Sequence, residues 1–214
     1  MKKEFEGAES VLLPEKFAGL PALKKLRVEK KYRPSLLDNK IREGRTRVEA
    51  RLLCKAKEAG VRVPFVYAVG GDYIVIERLD AITLNKIEGR GKHWKGKKSA
   101  GALGEKKISA KHWRMAGEYL AKLHSHGIAH GDYTPANLML GKGGKLYVID
   151  FGLGFSSFDE EDFAVDLLTM KNSLSPADAK EFVSGYLKLG KKSVFARMEK
   201  VQKRARYQER EPAE

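Results

Sequence analysis

The chain has 214 residues, enough for one domain or for two small lobes that share a buried core. Its 42 Lys and Arg against 28 Asp and Glu give a net charge of +14, which predicts a polyanionic partner such as nucleic acid, nucleotide phosphate or an acidic protein. The single cysteine, Cys54, excludes an internal disulfide, and no apolar run is long enough to cross a membrane. Together these features predict a cytoplasmic protein.

Residues 1–79 predict a small mixed lobe built on strands. The segment 5–13 has the pattern of two short strands broken at Gly7, although a lone glycine is weak evidence for a phosphate-binding turn. A β-hairpin is predicted over 64–76, because two runs of strand-forming residues flank a Gly-Gly-Asp turn.

A further strand at 22–28 and a helix at 36–60 carry the charged residues of this lobe. Lys24 and Lys25 point to opposite faces of the strand, so only one of them can face a cleft, and strand periodicity alone does not say which. Glu49 lies in the helix, either as the partner of that lysine or as a solvated charge paired along the helix.

Residues 80–214 predict a second, mainly helical lobe. The segment 86–111 is dominated by Lys, Arg, Gly and small residues and predicts a flexible basic insertion, which is either inert or contacts RNA with Trp94 as a stacking residue. An amphipathic helix is predicted to end at Gly127. The last segment, 197–210, is strongly basic and indicates either a solvated tail or a nucleic-acid contact.

The stretch 130–137, His-Gly-Asp-Tyr-Thr-Pro-Ala-Asn, sets Asp132 five positions before Asn137. A carboxylate at Asp132 can orient an attacking oxygen and receive its proton, while the amide oxygen of Asn137 binds a metal ion on the phosphates. A tight hairpin predicted over 138–149 brings Asp150, of an Asp-Phe-Gly triplet, back beside Asn137 as a second metal ligand. The alternative is that Asp132 and Asn137 only cap a turn.

This order of loop, hairpin and Asp-Phe-Gly resembles the protein kinases. The resemblance implies an α+β, two-lobed, protein-kinase-like fold, with a small mixed N-lobe of β-sheet and one long helix and a reduced helical C-lobe. It also implies ATP and Mg²⁺ as cofactors. Beyond Gly152 the sequence has no Ala-Pro-Glu and no long activation segment, so the platform on which protein kinases hold a substrate peptide is missing.

More narrowly, the chain resembles the small atypical kinase/ATPase subunit of the KEOPS complex, which supports threonylcarbamoyladenosine modification of tRNA. The residues that carry this resemblance are Gly7-Ala8-Glu9, Lys30-Lys31-Tyr32-Arg33 with Leu37-Asp38, Arg45-Thr46 with Glu49-Ala50, His130-Gly131-Asp132 and Asp150-Phe151-Gly152-Leu153-Gly154. The resemblance implies a magnesium-dependent serine/threonine kinase or ATPase that binds a threonylcarbamoyl transferase subunit and a further small regulatory subunit. It implies contact with tRNA through the basic tail and the insertion.

The family pattern also implies the site residues. It places the phosphate-binding lysine two residues before an arginine, as Lys25 stands before Arg27, and so favours Lys25 over Lys24. The implied catalytic residues are Lys25, Glu49 and Asp132, and the implied metal ligands are Asn137 and Asp150. The residues implied to bind ATP are Gly7, Ala8, Glu9, Lys25, Glu77, Leu79, Asn137 and Asp150.

Three other functions fit parts of the sequence. A RIO-type ribosome-assembly kinase would share the catalytic residues. A small-molecule phosphotransferase of the aminoglycoside or choline type also has His-Gly-Asp and the downstream Asn, but it needs a larger helical substrate pocket than the residues after Gly152 can build. A non-catalytic RNA-binding scaffold would explain the charge but not the intact set of Asp132, Asn137 and Asp150.

Overall fold

The N-terminal lobe is an antiparallel sheet with one long helix packed against it. The structure is a computed structural model that describes residues 5–6, 9–89 and 107–208. With elements numbered in chain order, the strands of this lobe are β1 (Phe5–Glu6), β2 (Ser10–Phe17), β3 (Leu20–Arg27), β4 (Val66–Val69) and β5 (Tyr73–Glu77). They form one sheet in the order β1-β2-β3-β5-β4, and they match the predicted strands and hairpin.

Helix α1 (Ser35–Glu58) is the long helix that the sequence predicts. It packs on β4 and β5. Its apolar residues repeat at helical spacing, so that Leu52, Leu53 and Ala56 enter the core. Gly60 follows the helix with a φ of 74°, a left-handed conformation that suits glycine and stops the helix.

The C-terminal lobe combines helices with short strands around the predicted catalytic residues. Its helices are α2 (Leu84–Ile87), α3 (Ala110–Ser125), α4 (Glu160–Asn172), α5 (Pro176–Leu189) and α6 (Lys192–Gln208). The strands β6 (Ala81–Thr83), β8 (Leu138–Gly141) and β9 (Leu146–Val148) form a small sheet, and β7 (Ile128–Ala129) pairs with β10 (Phe155–Ser156). Within the described part of the chain, no helix is both long and apolar enough to cross a membrane.

Helices α3 and α5 cross so closely that their backbones touch at two glycines. A Cβ on Gly117 would lie 2.1 Å from the carbonyl oxygen of Phe182, and one on Gly185 would lie 2.0 Å from the carbonyl oxygen of Arg114. No larger residue fits at either position without moving a helix. The crossing fixes helix α3, whose end leads into the stretch 130–137.

Both ends of the predicted insertion at 86–111 are helical. Its first residues belong to α2 and its last residues to α3. Helix α3 begins this early because Ser109 and His112 form a capping box, in which the Ser109 N–H donates to Nδ1 of His112 at 3.0 Å. Residues 90–106, with Trp94, lie outside the described residues.

The basic stretch at 197–210 belongs to helix α6 as far as residue 208, and its last residues lie outside the described part of the chain. Arg197 and Arg204 reach Glu161 of helix α4, with N to O distances of 3.6 and 2.7 Å. The side chains of Arg197 and Arg204 are still 44% and 58% exposed, so these are surface ion pairs, and both interpretations of the segment, a solvated tail or a nucleic-acid contact, stay predictions.

Candidate active site

The two lysines of strand β3 lie on opposite faces of the sheet. Lys25 is 7% exposed, and its Nζ lies 2.5 Å from Oε1 of Glu49. Lys24 lies on the other side, with its Nζ 3.8 Å from the centre of the Tyr73 ring. Strand alternation thus leaves Lys25 as the lysine that meets the helix glutamate.

Glu49 is a buried carboxylate, 2% exposed, and its interpretation as a solvated helix charge is wrong. A buried carboxylate needs counter-ions, and Glu49 has two. Nζ of Lys25 contacts Oε1 of Glu49, and Nη2 of Arg27 lies 2.5 Å from Oε2 of Glu49. Sequence analysis missed Arg27 as a site residue, although its position two residues after Lys25 puts both side chains on one face of the strand.

Asp150 completes this ionic cluster from the C-terminal lobe. Its Oδ1 lies 2.7 Å from Nζ of Lys25 and accepts from the Gly152 N–H at 3.1 Å. Asp150 has a φ of 61°, which non-glycine residues rarely adopt, and its side chain is 50% exposed. Phe151 packs inward, with its ring 4.7 Å from that of His130. The turn therefore directs a half-exposed carboxylate to Lys25.

The charges of the cluster hold one another in the ionised form. Burial alone would lower the pKa of Lys25, but the carboxylates of Glu49 and Asp150 raise it above its usual value. Burial would raise the pKa of Asp150, but the ammonium of Lys25 lowers it below its usual value. The cleft therefore presents an ammonium and a carboxylate at neutral pH.

Asp132 and Asn137 contact each other within the stretch 130–137, which we call the catalytic loop. Nδ2 of Asn137 donates to Oδ2 and to the backbone oxygen of Asp132, both at 2.8 Å. Since the amide nitrogen makes both bonds, the amide oxygen is the atom of Asn137 that can ligate a metal. The Ile149 N–H donates to the Asn137 carbonyl at 3.0 Å, so the hairpin returns Asp150 to the catalytic loop, as predicted.

Asp166 on helix α4 holds the start of the catalytic loop. Its buried carboxylate accepts from the backbone N–H groups of His130, at 2.6 Å, and Gly131, at 2.9 Å. His130 is fully buried, and its Nε2 donates to the Ile149 carbonyl at 3.1 Å while Nδ1 accepts from the Asp132 N–H at 3.3 Å. Because backbone groups engage both ring nitrogens, His130 shapes the loop.

Gly131 stands where protein kinases usually have an arginine. It has a φ of 78°, and a Cβ at this position would lie 2.3 Å from the carbonyl oxygen of Leu153. The segment after Asp-Phe-Gly thus packs directly on the backbone of the catalytic loop. The position has room only for glycine.

The predicted phosphate loop is described only at its end. Gly7 and Ala8 lie outside the described residues. Glu9 directs its carboxylate toward helix α1, where its Oε2 lies 2.5 Å from Nη1 of Arg45. The side chain of Glu9 is therefore occupied by the helix, and the backbone is what it can offer to a phosphate.

The link between the lobes contains the two residues predicted to contact adenine. Glu77 donates its backbone N–H to the Phe65 carbonyl at 2.8 Å and accepts from the Phe65 N–H through Oε2 at 3.2 Å. Phe65, the residue just before strand β4, thus engages both the N–H and the side chain of Glu77. Leu79 lies partly buried between β5 and β6.

The residues that the cleft brings together fit ATP with Mg²⁺. A Cβ on Gly152 would lie 3.0 Å from Oδ1 of Asp150 and 3.6 Å from Nζ of Lys25, so glycine keeps the space beside these charges open. The carboxylate of Asp150 and the amide oxygen of Asn137 are hard oxygen ligands of the kind that Mg²⁺ prefers. The ammonium of Lys25 suits phosphate oxygens.

A second buried histidine lies beneath the catalytic loop. Nδ1 of His124 on helix α3 lies 2.9 Å from the hydroxyl of Tyr186, and its Nε2 lies 3.5 Å from Oδ2 of Asp166. Burial lowers the pKa of His124 and of His130 below the usual 6.5, although the carboxylate of Asp166 acts in the opposite direction. Both histidines are therefore neutral in the folded protein at pH 7.

Folding stability is expected to fall on mild acidification because of these histidines. Below pH 6.5 the unfolded chain binds more protons, so stability is complete above that pH and is lost as the pH drops through the lowered pKa values. Replacing His124 by Gln should reduce the slope of unfolding free energy against pH by up to about 1.4 kcal/mol per pH unit, for the one proton removed. Urea unfolding at a series of pH values measures the slope, and an unchanged slope would contradict the assignment.

The sequence profile of the lipopolysaccharide kinase (Kdo/WaaP) family matches residues 22–186 of this chain. The chain is 35% identical over 209 residues to the EKC/KEOPS complex subunit BUD32 of Encephalitozoon cuniculi, with 96% of this chain and 95% of that protein covered. It is 36% identical over 214 residues to the probable bifunctional tRNA threonylcarbamoyladenosine biosynthesis protein of Methanobrevibacter smithii. That alignment covers 94% of this chain and 36% of the relative, so the chain spans about a third of the length of this bifunctional relative.

The fold is also similar to that of a solved kinase. The structure of Rio2 kinase from Chaetomium thermophilum, in its ADP/Mg²⁺-phosphoaspartate complex, matches with a TM-score of 0.61 and covers 97% of this chain and 70% of that chain. The sequences are 15% identical, so this likeness shows the fold alone. The predicted two-lobed, protein-kinase-like fold is thereby confirmed.

Proposed function

This chain belongs to the BUD32 family of kinase-like proteins, and from that premise we propose that it is a magnesium-dependent serine/threonine kinase or ATPase that serves threonylcarbamoyladenosine formation on tRNA. We propose residues 1–79 as the nucleotide-binding lobe and 80–214 as the catalytic lobe of a cytoplasmic protein. The observation that carries the proposal is the contact of Lys25 with both Glu49 and Asp150. A kinase-type phosphate cleft requires this combination of a strand lysine, a helix glutamate and the aspartate of Asp-Phe-Gly.

Each of these side chains has one role in the proposed reaction. Lys25 binds the phosphates, and Glu49 holds Lys25 in position. Asn137 and Asp150 hold magnesium, which when bound neutralises charge on the phosphates. Asp132 orients the attacking oxygen and accepts its proton, and its contact with Asn137 keeps the carboxylate in place.

The remaining ATP contacts are proposed for backbone groups. Gly7, Ala8 and Glu9 would approach the phosphates from the segment that follows Glu6. Glu77 and Leu79 would contact the adenine in the link between the lobes. The ion pair of Glu9 with Arg45 supports a backbone role for Glu9, because its side chain is already engaged.

The proposed acceptor is water or a residue of a bound partner. Between Gly152 and the first residue of helix α4, Glu160, the chain forms only the short strand β10. This leaves no extended segment on which a substrate peptide could lie as it does in protein kinases.

Three features support a function in which this chain works together with tRNA and partner proteins. In the Methanobrevibacter smithii relative the matching segment is 36% of a bifunctional protein, which favours a threonylcarbamoyl transferase as the unit that acts together with this chain. A relative named as a KEOPS subunit favours assembly with that subunit and with a small regulatory subunit. The net charge of +14 favours contact with tRNA through the basic tail and the insertion.

Replacing Lys25 by Met tests the proposed site, with Lys24→Met as the matched control on the opposite face of the same strand. Lys25→Met is expected to lower kcat/KM for ATP by about 100-fold or more, because the methionine has no charge for the phosphates. Lys24→Met is expected to keep the wild-type value. ADP release is measured with Mg²⁺ and with a chelator, and with and without tRNA and the transferase subunit.

Equal activity of the two variants would refute the site. A wild-type protein that shows no magnesium-dependent turnover, but binds tRNA with a steep salt dependence, would instead be a scaffold. Rapid phosphorylation of a small alcohol would identify a small-molecule phosphotransferase, and cofractionation with ribosomal particles would identify a RIO-type function.

A further inference from the structure

Arg27 is a buried cation to which the proposed reaction assigns no role. It lies on strand β3 two residues after Lys25 and is 6% exposed. Its Nη2 lies 2.5 Å from Oε2 of Glu49 and 3.3 Å from the backbone oxygen of Arg45. The guanidinium therefore joins strand β3 to helix α1 twice, once through a carboxylate and once through the helix backbone.

We propose that Arg27 is a positioning residue that keeps helix α1 closed on the cleft, so that Glu49 stays on Lys25 with or without nucleotide. This inference rests on the proposed function, because it concerns how the same ATP site is kept ready. Arg27 acts through Glu49 and is not itself a catalytic residue.

Charge balance in the cluster gives Arg27 this role. The cations Lys25 and Arg27 face the carboxylates of Glu49 and Asp150. A bound magnesium polyphosphate would interact with Lys25 and with the half-exposed Asp150 and so weaken their contact with each other. Arg27 and Glu49 are buried, and their ion pair would stay intact. A buried carboxylate is strongly destabilised when its counter-ion is lost. Arg27 supplies Glu49 with a counter-ion that no ligand has to share.

Helix α1 borders an open groove on the side of the C-terminal lobe, so its position depends on its contacts with the N-terminal lobe. A cavity of about 480 Å³ lies between the helix, at Ile41 and neighbouring residues, and the segment 152–155. The ion pair of Arg45 with Glu9 also ties the helix to the sheet, but its side chains are about half exposed, where water weakens an ion pair. The buried contact of Arg27 is therefore expected to fix the position of Glu49.

With this anchor, the contact between Lys25 and Glu49 forms without an activation step. In protein kinases, phosphorylation of the activation loop and movement of the corresponding helix decide whether the lysine and glutamate meet. This chain has only the short segment between Gly152 and Glu160 for such control. With Arg27 in place, the sheet itself holds the lysine and glutamate together.

The test compares Arg27→Gln and Arg27→Lys with Arg47→Gln, which removes the same charge from an exposed position of helix α1. Hydrogen exchange of the ligand-free protein is followed in helix α1 and, as a reference, in helix α3. Arg27→Gln is expected to exchange at least about tenfold faster in α1 with no change in α3, and to lower kcat/KM for ATP by about 10- to 100-fold. Arg27→Lys can keep the ion pair with Glu49 but not the second bond to the helix backbone, so it should lie in between. Arg47→Gln should match the wild type.

Two results would overturn the inference. Unchanged exchange of helix α1 in Arg27→Gln would mean that Arg27 does not anchor the helix, and equal acceleration in α1 and α3 would make it a general stabilising residue. A failure of the proposed function can be distinguished from a failure of this inference. If the wild type lacks ATP turnover while α1 exchange still responds to Arg27→Gln, the function is refuted and the anchor stands.

Discussion

Replacing Asp150 by Asn is expected to abolish magnesium-dependent ATP turnover, with kcat/KM lowered by about 1000-fold or more, or about 4 kcal/mol at the transition state. The carboxylate of Asp150 is the one anionic group among the two proposed metal ligands, since Asn137 offers a neutral amide oxygen. Without it the site would lose the one anionic protein group that would hold the metal in the cleft. The dependence of the remaining rate on Mg²⁺ concentration should shift to higher concentrations.

Asn is the substitution to use because it removes the negative charge of the side chain and keeps the backbone conformation. Asp150 adopts a left-handed conformation that Asn tolerates, and its side chain is half exposed. The thermal unfolding midpoint should therefore stay close to that of the wild type. A turnover loss without a stability loss would assign the effect to chemistry.

The control for this variant is Asp178→Asn. Asp178 lies in the first turn of helix α5, where its carboxylate accepts from the Ser175 hydroxyl. The substitution Asp178→Asn makes the same chemical change in the same lobe and should leave kcat/KM for ATP unaltered. Wild-type turnover by Asp150→Asn would refute the metal assignment.

Local sequence patterns predicted the parts of the fold that depend on near neighbours in the chain. Strand runs around short turns gave the β4–β5 and β8–β9 hairpins, and the helical spacing that ends at Gly60 gave helix α1. The spacing of Asp132 and Asn137 corresponds to a real contact, because both residues lie in one loop. Resemblance to a family, rather than spacing, selected Lys25, and the buried contact with Glu49 agrees with that choice.

Contacts between distant segments could not be predicted in the same way. Asp166 lies in the middle of helix α4, and its local sequence leaves open whether it braces the catalytic loop or only starts a helix; the packed structure shows its carboxylate accepting from the His130 N–H. Arg27 could have been suspected from strand alternation, but its partner is 22 residues away in a helix whose rotation the sequence does not fix. Burial of a charge becomes visible only when the elements are packed together.

Replacing Asp132 by Asn is expected to lower kcat by about 100- to 10,000-fold while leaving the affinity for Mg²⁺ and ATP close to that of the wild type. Its Oδ2 accepts from Nδ2 of Asn137, and the amide oxygen of the new side chain can accept the same bond. The geometry of the loop is therefore kept, but an amide cannot take the proton of the attacking oxygen.

The comparison of the two Asp→Asn variants separates the roles of the two carboxylates. Calorimetric titration with ATP and Mg²⁺ should show binding by Asp132→Asn and weakened binding by Asp150→Asn, while both variants have low turnover. If Asp132→Asn lost binding and turnover together, Asp132 would be a ligand of the nucleotide or metal and not the group that prepares the attacking oxygen. Among the described residues, Asp132 is the carboxylate that contacts Asn137, so no other such group could take over its role. If Asp132→Asn kept the wild-type kcat, Asp132 and Asn137 would therefore only cap a turn.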